Sequence, residues 1–417
     1  MTRAVANAPL CCPMRASMIT GLHPLSHGVV GNDIRLREDV PTMAKSLTSA
    51  GYDTAYIGKW HLDGEDRSVF TPPGPRRQGF NYWMACNCNH NYMASYYYHD
   101  SPEPTWNSGY EPTAQTDSAL NYLAEAAKRQ EPFCLFLSWG PPHCPYRQLP
   151  DEYLRMYDVD SLRTRRNAVN PNKQVTAGYY AHITALDWNF GRLLDGIEEH
   201  GLRDSAIVVF TSDHGDMLFS HDRGWKCKPW HESVIVPFIA RWPGIIPADA
   251  TEDEPFGLVN VMPSILGLCG VAVPEEVEGE DLSFMLLHTD GKRPNSTPIY
   301  HYMRATAPSP DVWRGVVTRS HTYARFRDVP WVLYDDAADP YQMRNMAGKS
   351  RDSALQETLE AELRQWLARM NDSFETESDL AERLGITLDG NGIPVYYVQP
   401  HIAQEMRNRL EQLKVEC

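Results

Sequence analysis

Two textures divide the chain. Up to about residue 287, short apolar runs alternate with segments of helical spacing; beyond it, short alternating runs rich in aromatic residues take over. "VPTMAKSLTSAG" puts Pro41 in a first-turn position and Gly51 where a helix stops. "YDTAYIG" follows as a strand ending at Lys59, and "TAQTDSALNYLAEAAKRQ" has helical spacing, with Thr116 as its cap candidate. "FCLFLSW" is continuously apolar, the mark of a parallel strand buried on both faces. A helix over about residues 176–198 leads to "SAIVVFTSDHGD", an apolar strand that runs straight into polar residues, and "VIVPFIARWPG" adds one more strand.

Strands alternating with helices predict an α/β class, with a large, mainly parallel sheet flanked by helices. Reactive groups in such folds sit beyond the carboxyl ends of the strands, and three strands here end in "GKWH", "SWGPPHCPY" and "TSDHGD". Later, "STPIYHYMR", "GVVTRSHTYARFRD" and "VPWVLYDD" suit a small antiparallel sheet, and "SALQETLEAELRQWLARM" suits a helix. The expected division is a catalytic α/β domain over residues 1–287 and a smaller domain over 288–417, polar from about 372.

Composition narrows the function classes. A chain of 417 residues exceeds one ordinary core, and 42% hydrophobic with 22% charged residues is the balance of a globular protein. No apolar run approaches the ~18 residues of a membrane span, so none is expected. A net charge of −15 argues against nucleic acid as a partner. It leaves an anionic substrate open, because a local group of Lys, Arg and His reverses the field inside a cleft. The nine cysteines are odd in number and show no disulfide framework. "CNCNH" (Cys86, Cys88, His90) is a soft-metal pattern without its second half and reads as structural or pocket-lining.

"PLCCPMRASMITG" carries the chemistry. Pro13 suits a first helical turn, which puts Cys11 at the N-terminal end, where free amides and the helix dipole favour negative charge. Arg15, four residues on, reaches the same point, a setting that makes a thiol reactive. By itself the segment fits an ordinary buried cysteine better.

The wider pattern decides between them. C-x-P-x-R followed by A-S-x-x-T-G (Cys11, Pro13, Arg15, Ala16, Ser17, Thr20, Gly21) resembles the signature of the sulfatase family. "GYDTAYIGKWH", with Lys59 and His61, resembles its second signature; "PPHCPY" and "TSDHGD" are similar to its P-H-x-P-[YF] element and its metal-binding strand end. "KCKPWHESVIVPFIARWPG" and "LYDDAADPYQMRNMA" match two further elements, all in the family's order.

The resemblance implies an alkaline phosphatase-like fold and a hydrolase of sulfate esters. It implies that a maturation enzyme oxidises Cys11 to formylglycine, whose hydrate attacks sulfur and later expels sulfate. Arg15 and His61 would stabilise and deprotonate the hydrate, Lys59 and Lys226 would neutralise the sulfate oxygens, and His143 would bind sulfate and protonate the leaving alkoxide. Residue 11, Asp213 and His214 would hold the metal, with Ca²⁺ expected and Mg²⁺ second. Lys228 competes with Lys226, whose spacing to Trp230 fits the family element better. His23, His27, His90 and His221 are expected to be structural or substrate-facing.

The chain also departs from the family. Sulfatases carry a strand ending in paired metal-binding aspartates ahead of the cysteine motif; here ten residues precede Cys11, and Asp33 and Asp39 follow it. The expectation is that Met1 is internal to a longer reading frame, which leaves room for a signal peptide and leaves the compartment open, and that the present chain binds Ca²⁺ weakly and hydrolyses aryl sulfates poorly. Two alternatives follow: phosphonate monoester or phosphodiester hydrolysis, and a catalytically inactive relative that binds sulfated ligands. The segment "GFNYWMACNCNHNYMASYYYHD", dense in aromatic and amide groups, suits a sulfated carbohydrate as substrate.

Overall fold

The computed structural model describes residues 1–305 and 312–413; Cys417 lies outside the described residues. In chain order the strands are β1 (Ala4–Val5), β2 (Asp53–Lys59), β3 (Tyr82–Cys86), β4 (Tyr96–Tyr97), β5 (Thr105–Trp106), β6 (Phe133–Ser138) and β7 (Val208–Thr211). They continue as β8 (Ile235–Val236), β9 (Phe238–Arg241), β10 (Phe256–Gly257), β11 (Ser296–His301), β12 (Trp313–Thr318), β13 (His321–Arg325) and β14 (Pro330–Asp335). The class is α/β, with a parallel sheet and a separate antiparallel sheet.

One compact unit comprises Met1–Met43, Arg166–Val169 and Ile207–Val395; the other comprises Ala44–Arg165, Asn170–Ala206 and the chain from Tyr396 onward.

In the unit that begins at Ala44, β2 is the middle strand of the parallel sheet β3-β2-β6 and is buried from Thr54 to Lys59. Gly58 (φ +107°) lets β2 and β6 approach, since a β-carbon there would stand 2.1 Å from the Ser138 carbonyl oxygen. The edge strand β6 is only half-buried from Phe133 to Leu137, although its apolar run predicts burial on both faces. The run states what the strand can bury; its place in the sheet decides how much it does. The helix Glu111–Ala126 lays Tyr122 and Ala126 on Ala55. It starts before the expected cap: Thr116 lies inside it, donating its hydroxyl to the Pro112 carbonyl (2.7 Å), and Pro112 occupies the first turn instead. The helix Lys173–Glu199 is capped by Asn172, whose side chain accepts from the amides of Gln174 (3.0 Å) and Val175 (3.2 Å).

In the other unit, β1 lies between β10, which runs parallel to it, and β8, which runs antiparallel. β7 pairs only with β9 among the described residues and is half-buried. The expected single strand at "VIVPFIAR" is two, β8 and β9, separated at Pro237, which has no N–H to offer a ladder. The strands β11 to β14 form an antiparallel meander in sequence order. Trp313 and Val317 face one core with Val5 and Trp230, whereas Val316, Tyr323 and Leu333 face Leu359 and Leu363 of the helix Ser353–Arg369. That is the period-two alternation expected of a sheet covered on both sides. The polar tail past residue 372 also folds, as helices Glu377–Leu384 and Pro400–Leu413.

Candidate active site

The helix Cys11–Thr20 is buried along its whole length. It begins directly after an extended Leu10 and ends at Gly21 (φ +65°), whose amide donates to the Ser17 carbonyl (2.9 Å). Cys11 therefore stands in the first turn, among amides with no partner inside the helix. Its Sγ lies 3.2 Å from His214 Nε2 and 3.2 Å from Lys226 Nζ. His214 Nδ1 is 2.8 Å from the Gly215 carbonyl oxygen. A proton on Nδ1 donates there and leaves the Nε2 lone pair facing residue 11. Arg15, one helical turn past Cys11, reaches Asp213 Oδ2 with Nη1 at 3.5 Å, and Asp213 Oδ1 lies 3.7 Å from His214 Nε2.

Cys11, Asp213 and His214 form a possible metal site, their donor atoms lying within 4.8 Å of one another. The fit is partial. A hard cation such as Ca²⁺ takes about six to eight oxygen ligands, and this group offers one carboxylate beside two cations, Arg15 and Lys226. The Asp33 amide donates to Cys12 Sγ (3.3 Å), and its carboxylate is not part of the group. Lys228 turns away from residue 11, donating to the carbonyls of Lys226 (2.7 Å) and Gly224 (3.2 Å). Cys227 is buried, and burial pushes its thiol up to about 11.

Lys59, His61 and His143 belong to the unit that begins at Ala44. Lys59 closes β2, and His61 follows at φ +56°, its amide donating to the Asn87 carbonyl (2.5 Å). The Asn87 side chain accepts from Asp63 N (3.1 Å) and donates to the Asp66 carbonyl (2.9 Å), fixing the turn after β2. Cys88 Sγ lies 3.6 Å from His90 Nε2, and the His90 ring stacks on His143 with centroids 4.3 Å apart at 12°. Burial alone would raise the Cys88 thiol, but His61, His90 and Lys59 around it, with a hydrogen bond to His61, bring it well below the usual thiol range. His143 Nδ1 sits 2.8 Å from the Cys144 carbonyl oxygen, and the Tyr92 hydroxyl donates to the His143 carbonyl (2.9 Å). Glu111, fully buried, is pushed up to about 7 by burial, with Ser95 and Lys59 opposing.

Cys88 and His90, expected to be structural or pocket-lining, lie beside the motif residues His61 and His143. Among the described residues, Cys86, Cys88 and His90 do not form a group of facing metal donors. His23 and His27 are core residues whose burial pushes both down to about 3, and His221 stacks on Trp230 at 4.9 Å. Tyr92, Tyr96 and Tyr98 of the aromatic segment are buried rather than open to a sugar.

The profile of the Sulfatase family matches residues 1–271, and that of the N-sulphoglucosamine sulphohydrolase C-terminal region matches residues 222–369. An ulvan-active sulfatase of Formosa agariphila is 38% identical over 385 residues, which is 90% of this chain and 75% of that protein. An endo-4-O-sulfatase of Bacteroides thetaiotaomicron is 28% identical over 442 residues, 92% of this chain and 85% of that one. A solved structure from work on glycosaminoglycan metabolism by Bacteroides thetaiotaomicron superposes with a TM-score of 0.83 at 28% identity, covering 92% of this chain and 89% of that one. Fold and relatives define a sulfuric ester hydrolase of the alkaline phosphatase-like class. The chain belongs to the sulfatase family. Among the described residues no helix is long and apolar enough to cross a membrane.

Proposed function

We propose that this protein hydrolyses sulfate esters on a carbohydrate, and that position 11 supplies the nucleophile after oxidation of Cys11 to formylglycine by a maturation enzyme. The observation that carries the reading is the meeting of His214 Nε2 and Lys226 Nζ, each 3.2 Å from Cys11 Sγ, at a buried helix start. The hydrated aldehyde supplies an attacking oxygen and a second hydroxyl through which sulfate departs. Lys226 places a fixed positive charge where sulfuryl oxygens gather, and Arg15 orients Asp213. Residue 11, Asp213 and His214 would hold a divalent ion, Ca²⁺ before Mg²⁺, which supplies Lewis-acid polarisation of a sulfate oxygen.

The roles of the other three residues rest on their family motifs. Lys59 neutralises sulfate oxygens and His61 serves the hydrate. His143 protonates the leaving alkoxide from Nε2, because Nδ1 is engaged by the Cys144 carbonyl (2.8 Å). The division at residues 287 and 288 belongs to the same proposal, supported by the continuous meander β11 to β14.

The test is co-expression with a formylglycine-generating enzyme, mass analysis of the Cys11 peptide, and turnover of 4-nitrophenyl sulfate against bis(4-nitrophenyl) phosphate with added Ca²⁺. An aldehyde at residue 11 with faster sulfate turnover supports the reading. Faster phosphodiester turnover moves the activity to phosphoester hydrolysis, and an aldehyde without turnover leaves an inactive relative.

A further inference from the structure

Arg166–Val169 belong to the compact unit that holds Cys11, although the chain on either side of them belongs to the other unit. Ala168 forms an antiparallel bridge with Ser220. Beside it, the Val169 amide donates to the Phe219 carbonyl (3.0 Å) and the His221 amide to the Asn167 carbonyl (3.0 Å). The buried Asn167 side chain adds a second set of ties. Its amide nitrogen donates to Glu232 Oε1 (2.8 Å) and to the Tyr341 carbonyl (2.9 Å), and lies 3.1 Å from His221 Nε2. Its Oδ1 accepts from the Ser220 hydroxyl (3.1 Å). One amide group thus joins residues 220 and 221 to residue 232, and Lys226 lies on the chain between them.

The joined segment has unusual backbone. Leu218, Phe219, His221, Asp222, Trp225 and Cys227 all have φ between +40° and +73°, a left-handed conformation that is unfavourable for residues with a β-carbon. So many in one short segment do not hold their shape by local preference; the surrounding bonds have to impose it. Some of these bonds are internal, from the Met217 amide to the Trp225 carbonyl (2.6 Å) and from the Phe219 amide to the Arg223 carbonyl (2.9 Å). Another leads to the reacting residue, because the Cys227 amide donates to the carbonyl of Pro9 (3.1 Å), just ahead of Cys11. The main chain is therefore fixed on both sides of Lys226, whose Nζ lies 3.2 Å from Cys11 Sγ. A lysine carries its charge on a flexible stem, so the place of the ammonium depends on how firmly its backbone is held.

We propose that Asn167 is a positioning residue for Lys226: by tying Ser220 and His221 to Glu232, its side-chain amide keeps the Lys226 ammonium at residue 11. The role needs an amide, because one group has to donate to a carboxylate and accept from a hydroxyl. The proposal rests on the sulfate-ester reading, in which Lys226 neutralises the sulfate oxygens, and adds a residue that acts only through Lys226.

A double-mutant cycle on the full, matured chain tests it, read by kcat/KM for 4-nitrophenyl sulfate and by calorimetric binding of inorganic sulfate, with denaturant melts alongside. With Lys226 present, Asn167→Ala is expected to lower kcat/KM about tenfold and to weaken sulfate binding, since a small displacement of a charged group is costly. In the Lys226→Met background the same substitution changes both by less than about twofold, while its loss of stability is the same in the two backgrounds. Ser220→Ala removes a single tie and follows the same pattern with a loss of about threefold, which answers the question where Asn167→Ala fails to fold. Equal losses in both backgrounds make Asn167 a purely structural residue and overturn the proposal. Unchanged kcat/KM and binding in Asn167→Ala, or sulfate binding indifferent to Lys226→Met, overturns it as well. Coupling seen in sulfate binding without any turnover keeps the positioning role and removes the catalytic reading. A wild type that neither turns over nor binds sulfate removes both.

Discussion

Cys11 and Cys88 are both buried thiols beside lysine and histidine, and they are built for different ends. Cys11 opens a helix, with Lys226 Nζ and His214 Nε2 each 3.2 Å from its sulfur and the Asp213 carboxylate alongside His214. Cys88 sits in an irregular segment among Lys59, His61 and His90, and Glu111, which also faces Lys59, is buried and pushed up to about 7. Around residue 11, charges of both signs face one atom, as a reacting centre requires. Around Cys88, the neighbouring His61, His90 and Lys59 bring the thiol well below its usual range. In the proposed reading, the same three residue types mark a reactive position in one place and an electrostatic support in the other.

Exchanging the two thiols breaks the comparison most sharply. Cys11→Ala is expected to lower sulfate ester turnover by at least ~10³-fold, about 4 kcal/mol at the barrier, and to abolish the aldehyde signal in the peptide mass with the fold intact. If Cys88→Ala does the same, the contrast is wrong.

Glu111 tests the second region through pH. Its folded carboxyl holds a proton up to about pH 7, whereas the unfolded chain releases it near pH 4.5. The folded state thus binds more protons between those values, and stability falls as pH rises through that window. Glu111→Gln removes this fall. Between about pH 4.5 and about pH 8 the variant gains about 3 kcal/mol relative to the wild type, read by denaturant melts across the range. Parallel stability curves for the two proteins would contradict the buried, raised carboxyl.

The two lysines of "KCK" sharpen the first region. Lys226→Met should reduce turnover about 100-fold, and Lys228→Met less than about fivefold, because Lys228 Nζ caps the carbonyls of Lys226 and Gly224. Equal losses would remove the special position of Lys226. The smallest effect lies away from both clusters: Asn172→Ala should cost about 1 kcal/mol by leaving the amides of Gln174 and Val175 uncapped, seen as a lowered denaturation midpoint with turnover unchanged.

Much of this was legible in the chain. The helix beginning at Cys11, its stop at Gly21, the strand ending at Lys59 and the alternating strands near residues 296–335 follow from local signals, and these are encoded within a few residues. Thr116 misled because a preferred cap residue also fits inside a helix, where its hydroxyl donates to Pro112. "FCLFLSW" misled because apolar periodicity carries no information about a strand's neighbours, and β6 stands at an edge.

The sequence by itself determined the family, the α/β class and the residue types needed around a sulfate ester, since motifs and periodicities are local in the chain. Lys226 was already favoured by its spacing to Trp230, but only the tertiary structure decided that His90 stacks on His143 and that Tyr396 returns across more than three hundred residues to Arg67. Those outcomes depend on which distant segments pack together, and packing is settled by the shape and burial of the whole fold rather than by any one stretch of chain.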